Sequence, residues 1–307
     1  MKLQDHELII IDGACGTNLQ EMAIPPSAWD GREGCNEILN LTAPEYIVRL
    51  HESFVEAGAM VLETDSFGAN RIVLEEYGLA DRVAEINRAA VANARTAING
   101  KPDMYVAASI GPGTKLPSLG HIEPADMAAA YAEQVEALLE AGADMLIVET
   151  CQDILQTKTA LVACFDTMER MDRRVPVMAS VTIEKSGTML VGTDIAAACA
   201  VFEPFPLLAF GLNCATGPLD MEPHIRYLSR HWPGRVSCVP NQGLPEVIDG
   251  KTCYSLSPED YAREMRRFVT NYGVSIVGGC CGTTPEHTRA LVQALQGVKP
   301  GKREVDA

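Results

Sequence analysis

The chain has 307 residues, 47% of them hydrophobic, 21% charged and only 6% aromatic, a composition that suits a globular protein with a sizeable core; α/β barrels use this much chain as a single domain. With 25 Lys and Arg against 41 Asp and Glu, the net charge is −16, which argues against the basic face that nonspecific binding to nucleic acid or to an anionic membrane needs. No apolar stretch reaches the roughly 20 residues of a transmembrane helix, and the N-terminus lacks the pattern of a signal peptide, so a cytoplasmic protein with reduced thiols is expected.

Short β-rich runs alternate with amphipathic stretches along the whole chain. Strands are predicted over 8–12, 60–64, 105–110, 145–149, 175–182, 207–213, 236–240 and 275–279, each a nearly continuous apolar run, as expected when both faces of a parallel sheet are buried. Helices are predicted over 43–57, where Thr42 reads as an N-cap with Pro44 behind it, and over 124–141, 154–171 and 258–272, the last introduced by Ser257-Pro258. Gly58, Gly142 and Gly273 stand where a left-handed C-terminal cap is expected. Eight βα units with right-handed crossovers point to an α/β fold, a single (β/α)8 TIM barrel over residues 1–297, with 298–307 as a tail or the start of a linker. The alternative is a doubly wound open sheet, but Asp12-Gly13-Ala14-Cys15-Gly16-Thr17 after the first strand is not the Gly-rich phosphate turn of that fold.

In a barrel the chemistry lies at the C-terminal ends of the strands. Those ends read Asp12-Gly13, Glu63-Thr64-Asp65, Ser109-Ile110-Gly111-Pro112, Glu149-Thr150-Cys151, Ser180-Val181-Thr182, Asn213-Cys214, Pro240-Asn241-Gln242-Gly243 and Gly279-Cys280-Cys281-Gly282. Nearly every one is polar or small, although the strand before it is apolar. Cys214 ends strand six and the adjacent Cys280 and Cys281 end strand eight. Neighbours in an extended strand point to opposite faces, but Gly278, Gly279 and Gly282 leave the backbone free to turn both sulfurs inward. Three thiolates suit Zn²⁺, and an open fourth position would make such a site catalytic. Each thiol taken alone also reads as a buried packing residue, and the adjacent pair as a vicinal disulfide or redox switch. Cys15, Cys35, Cys151, Cys164, Cys199, Cys238 and Cys253 read as packing residues.

Asp12 and Glu149 end strands one and four, where a carboxylate either accepts from a substrate ammonium or caps the following loop. Glu63 and Asp65 admit the same two readings. The six histidines, His51 and His287 among them, read as surface or packing residues, and no catalytic triad or His-rich metal cluster is present. Gly111-Pro112-Gly113 with Gly120 reads as a loop shaping the mouth, since no Lys-Ser/Thr follows to make a phosphate cradle.

The segments Asp12 to Thr17, Glu149-Thr150, Gly211-Leu212-Asn213-Cys214-Ala215-Thr216-Gly217-Pro218, Pro240-Asn241-Gln242-Gly243 and Gly278 to His287 together resemble the homocysteine-binding domain family of homocysteine S-methyltransferases. The resemblance runs from about residue 8 to about 295, and the N-C-A-T-G-P and P-N-x-G segments are most similar to the N-terminal domain of cobalamin-dependent methionine synthases. It implies a zinc ion on Cys214, Cys280 and Cys281, with L-homocysteine held by Asp12, Gly13 and Glu149. Asn241 would then lie near the metal, available as a fourth ligand when substrate is absent. Gln242 departs from the small residue expected there, and the 307 residues hold none of the folate, cobalamin or reactivation domains of those synthases. The function implied is methyl transfer to zinc-activated homocysteine from methylcobalamin on a corrinoid protein or cobalamin domain. A self-contained enzyme using S-methylmethionine or a betaine-type donor is the alternative, and a noncatalytic zinc- or thiol-sensing module is the reading of another class.

Overall fold

Side chains alternate along a strand, so each apolar run has one set of residues for the inside of a barrel and another for the helices around it. The computed structural model describes residues 1–243, 246–248 and 251–306, with backbone alone at 246–248 and 251–253. A strand overlaps every predicted run: β1 (Ile9–Ile10), β2 (Val61–Glu63), β3 (Tyr105–Ile110), β4 (Met145–Cys151), β5 (Val177–Val181), β6 (Ala209–Asn213), β7 (Arg235–Val239) and β8 (Ile276–Val277). All pairings in this sheet are parallel, in the order β1-β8-β7-β6-β5-β4-β3-β2. A parallel bridge between Ile11 and Val61 joins the two ends. There the Asp12 N–H donates to Val61 O at 3.0 Å and the Met60 N–H to Ile10 O at 2.8 Å. The sheet is a ring, and the open doubly wound alternative is excluded.

Helices follow the strands in turn: α1 (Pro44–Ala57), α2 (Val83–Ile98), α3 (Pro124–Glu140), α4 (Ile154–Arg170), α5 (Ile195–Phe202), α6 (Pro218–His231), α7 (Pro258–Tyr272) and α8 (Pro285–Leu295). Ser257 caps α7 as expected, its hydroxyl accepting from Asp260 N–H at 3.1 Å. Gly58 and Gly273 take left-handed conformations at the ends of α1 and α7. Thr42 does not cap α1: Ala43 holds that position, while the Thr42 hydroxyl donates back to Ile38 O inside the preceding short helix. A two-stranded antiparallel hairpin (Glu246–Ile248 and Lys251–Cys253), absent from the sequence reading, stands between β7 and α7.

Ile9, Ile11, Val61, Ala107, Met145, Ile147, Met178, Ala209 and Ile276 form the apolar cluster inside the ring, and Leu3 from the N-terminal turn joins them. The intervening residues Leu62, Val106, Ala108, Leu146, Val148, Phe210 and Leu212 face the larger core shared with the helices. Two residues beyond Val61, Ala107 and Ile147 the same alternation reaches Glu63, Ser109 and Glu149, and four beyond Ala209 it reaches Asn213. The barrel is therefore filled with hydrocarbon at one end and lined with polar groups at the other. At the C-terminus the Gly301 N–H donates to Val269 O at 2.9 Å and the Asp306 N–H to Arg230 O at 2.7 Å, laying residues 298–306 against α6 and α7. Among the described residues no helix is long and apolar enough to cross a membrane.

β6 approaches β7 closely at Gly211. A Cβ on Gly211 would lie 1.9 Å from the Ser237 carbonyl oxygen, so one methyl group must push two paired strands apart. Overpacking of this kind costs about 1–3 kcal/mol. Gly211→Ala is expected to lower the unfolding free energy measured by urea titration by an amount of that size, and an unchanged free energy would show that the wall yields there.

Candidate metal centre

Cys214 follows the last residue of β6, where the chain leaves the ladder in an unusual way. Both Cys214 (φ +61°) and Ala215 (φ +56°) are left-handed, a conformation non-glycine residues adopt at a cost of roughly 1–2 kcal/mol each. The turn is held by Cys214 N–H to Val239 O at 3.2 Å, Thr216 N–H to Cys214 O at 2.7 Å and Asn241 N–H to Thr216 O at 3.0 Å. Cys280 and Cys281 come from the end of β8. The Gly279 N–H donates to Asp12 O, the Cys280 N–H to Pro240 O, and Cys281 O accepts from Gln242 N–H, each at 2.9–3.0 Å. A turn closed by Thr283 N–H and Oγ1 on Cys280 O then ends the extended geometry, so the two adjacent side chains no longer alternate. The glycines act differently from expectation. Only Gly282 (φ +80°) uses left-handed backbone; Gly279 is required for space, since a Cβ there would meet Thr283 Oγ1 at 2.4 Å.

The outcome is three sulfurs within 4.8 Å of one another, with Cys214 and Cys281 Sγ atoms 3.8 Å apart. That spacing suits ligands around one ion and is far beyond a disulfide bond of about 2 Å. The nine described cysteines are all free. Contact with the Cys214 and Cys280 thiols pulls Cys281 down to about 3, while the cluster pushes Cys280 up. Among the described residues no fourth His, Cys, Asp or Glu joins the group. An all-thiolate set with one position free matches the donor chemistry of an open zinc site.

The cysteines form one side of a cavity of about 340 Å³. Asp12, Glu63 and Glu149 line it, as do Glu37 and Asp65, with no Lys or Arg among its lining residues. Both Asp12 carboxylate oxygens accept from the Glu63 N–H, at 3.1 and 3.3 Å. Burial, and then the charge of Glu149, nevertheless push Asp12 well above the usual carboxylate range. Burial pushes Glu149 up to about 7, with the Ser109 hydroxyl bond holding it back. Asp65 stands at about 8 through burial and the charge of Glu37. Asn213 ties these parts together. Its Nδ2 donates to Glu149 Oε2 at 3.3 Å and to Thr150 Oγ1 at 2.7 Å, and its Oδ1 accepts from the Thr150 N–H at 2.8 Å. These bonds hold Thr150 left-handed (φ +57°) beside a register shift in β4.

Asp12, Gly13, Glu149, Cys214, Cys280 and Cys281 thus line one cavity, as the order of strand ends predicted. Gly13 is glycine for space, since a Cβ would lie 2.8 Å from the Phe54 ring. Asn241 does not line the cavity; it is buried behind the Cys214 turn, and its Oδ1 has no partner among the described residues. Cys35, Cys151, Cys164, Cys199 and Cys238 are buried as read, whereas Cys15 lines the cavity and its thiol donates to Asp65 Oδ1 at 3.5 Å. The Cys253 side chain lies outside the described residues. His51 is no surface residue: it is 1% exposed beside the cavity, neither ring nitrogen has a partner among the described residues, and burial lowers it to about 4. The loop after β3 is pinned, with Tyr131 Oη donating to Pro112 O and Gln156 Nε2 to Lys115 O, both at 2.8 Å.

An acid raised by folding stabilises the protein fully below its unfolded pKa and loses that contribution as pH rises to the folded value. For Glu149 the window runs from about 4.5 to about 7. In metal-free protein, the stability advantage of Glu149→Gln over the parent is expected to grow across that window, by up to about 3 kcal/mol. Urea titrations of both proteins at several pH values measure it, and a pH-independent difference would contradict the assignment.

Residues 9–295 match the family model described as homocysteine S-methyltransferase. A methionine synthase of Mycobacterium tuberculosis (strain ATCC 25618 / H37Rv) is 44% identical over 304 residues, which cover 98% of this chain and 26% of that protein. A methionine synthase of Mycobacterium leprae (strain TN) is 42% identical over 294 residues, covering 94% and 24%. The chain therefore spans about a quarter of the length of these curated relatives. Among solved structures, the homocysteine methyltransferase MmuM from Escherichia coli in its oxidized form superposes with a TM-score of 0.73 at 22% identity, over 95% of this chain and 97% of that one. Its metallated form gives 0.72 at 24%, over 94% and 96%. At such identity the likeness is one of fold.

Proposed function

This chain belongs to the homocysteine S-methyltransferase family, and on that premise we propose that it transfers a methyl group to the sulfur of L-homocysteine, forming methionine, with a zinc ion held by Cys214, Cys280 and Cys281. The observation that carries the reading is the convergence of three thiols within 4.8 Å on a cavity whose other charged groups are all carboxylates. Methyl transfer to sulfur needs a thiolate, and zinc when bound supplies it by lowering the pKa of a coordinated thiol, so that no dedicated base is needed.

The chain's own residues do the rest. Asp12 and Glu149 accept charge-assisted hydrogen bonds from the substrate ammonium, with Gly13 leaving room for it at the foot of α1. Ser109 and Asn213 fix the Glu149 carboxylate, so the ammonium is held at a set distance from the sulfur cluster. Asn241, with its unpartnered Oδ1 close behind the Cys214 turn, is the neutral group available to the cluster when no thiol is bound. The barrel of residues 1–297 is the acceptor module, and 298–307 follow it.

For the donor we favour methylcobalamin presented by a corrinoid protein or a cobalamin domain. Two facts support it: two relatives above 40% identity are methionine synthases, and both are about four times as long as this chain. The protein is expected to bind about one zinc per chain by elemental analysis, and the Cys214→Ser/Cys281→Ser double variant to lose it. Retention of the metal by the double variant would sink the site. Supplied with homocysteine, the zinc-loaded protein is expected to form methionine with methylcobalamin and not with S-methylmethionine or betaine; turnover with S-methylmethionine alone would overturn the corrinoid assignment.

A further inference from the structure

Five carboxylates line the cavity, and four of them have donors within the chain. Asp12 accepts from the Glu63 N–H, Glu149 from Ser109 and Asn213, Asp65 from Asn40 and Cys15, and Glu37 from the Gly68 N–H. Glu63 is the exception. Its backbone N–H is taken by Asp12, yet among the described residues its carboxylate accepts no hydrogen bond and forms no ion pair. It ends β2, beside Asp12, which follows the Ile11–Val61 bridge, and it is half-buried in the cavity wall. Withdrawal from water, then the charges of Glu149 and Asp12, raise it well above the usual carboxylate range. Three acids facing each other with no Lys or Arg on the wall repel one another, and a cation from outside removes that repulsion.

An ammonium group has three N–H donors and no acceptor. Asp12, Glu63 and Glu149 offer it three carboxylates from three strand ends. We propose that Glu63 is a third acceptor for the ammonium of the methyl-accepting thiol, and that it makes the cavity select an α-amino thiol over the same thiol without its amino group. The inference rests on the homocysteine reading above. It differs in kind from the roles of Asp12 and Glu149, because Glu63 is the carboxylate left wholly to the ligand.

Equilibrium binding to the zinc-loaded full chain, measured by calorimetry with homocysteine and with 4-sulfanylbutanoate, tests it without any methyl donor. The parent is expected to prefer homocysteine. In Glu63→Gln that preference is expected to shrink roughly 10- to 100-fold, the worth of a lost charge-assisted bond, while 4-sulfanylbutanoate binds as before. An unchanged preference would overturn the assignment, as would equal weakening of both ligands. If Glu63→Gln loses metal or fold, Glu63→Asp carries the test: retracting the carboxylate by one methylene weakens homocysteine severalfold and leaves 4-sulfanylbutanoate alone, and equal losses would overturn it. A parent that binds neither thiol would instead refute the homocysteine reading itself.

Discussion

Everything in the site depends on the ring being closed. The backbone bonds that join β1 to β2 around Ile11 and Val61 are few, yet they convert a sheet with two edges into one with none. Once β8 lies beside β1, the Gly279 N–H can reach Asp12 O, and residues some 270 positions apart in the chain share one wall. In the same sheet opened between β1 and β2, β1 would still lie beside β8, but Glu63 on β2 would stand at the far edge from Asp12 and the thiols.

Within the ring, a single alternation does two jobs. The inward positions at one end are Ile9, Ile11, Val61, Ile147 and their neighbours, which fill the barrel and fix its diameter. Further along the same inward faces stand Glu63, Ser109, Glu149 and Asn213, polar groups beside which a chamber opens. The strain in this chamber is local. Thr150, Cys214 and Ala215 hold left-handed backbone without being glycine, and Asn213, immediately before Cys214, supplies three of the hydrogen bonds that stabilise the arrangement. The thiol turn and the carboxylate turn are therefore one bonded unit.

The sequence makes the barrel legible because the strands are mostly apolar on both faces and the turns between them are punctuated by proline and glycine. It also makes Asp12, Glu149 and the three thiols legible, since each stands where an apolar run stops. Other parts depend on tertiary approach and leave no local mark. That His51 borders the cavity follows from α1 pressing Phe54 onto Gly13, and nothing in a helical periodicity distinguishes such a face from ordinary core. The left-handed residues at 150 and 214 carry no glycine to announce them. Cys15 looks like any small buried residue until Asp65 is seen beside its sulfur. The same alternation that hides these groups does expose Glu63, which shares its inward face with Val61.

Leu3 and the hydrocarbon layer above it stop the barrel at its N-terminal end. A vessel closed at the bottom has one door. Under the proposed function, a thiol that settles on the sulfur cluster and a methyl donor that comes to meet it would use the same opening. Such a vessel would have the acceptor load before the donor docks and the product leave after the donor withdraws.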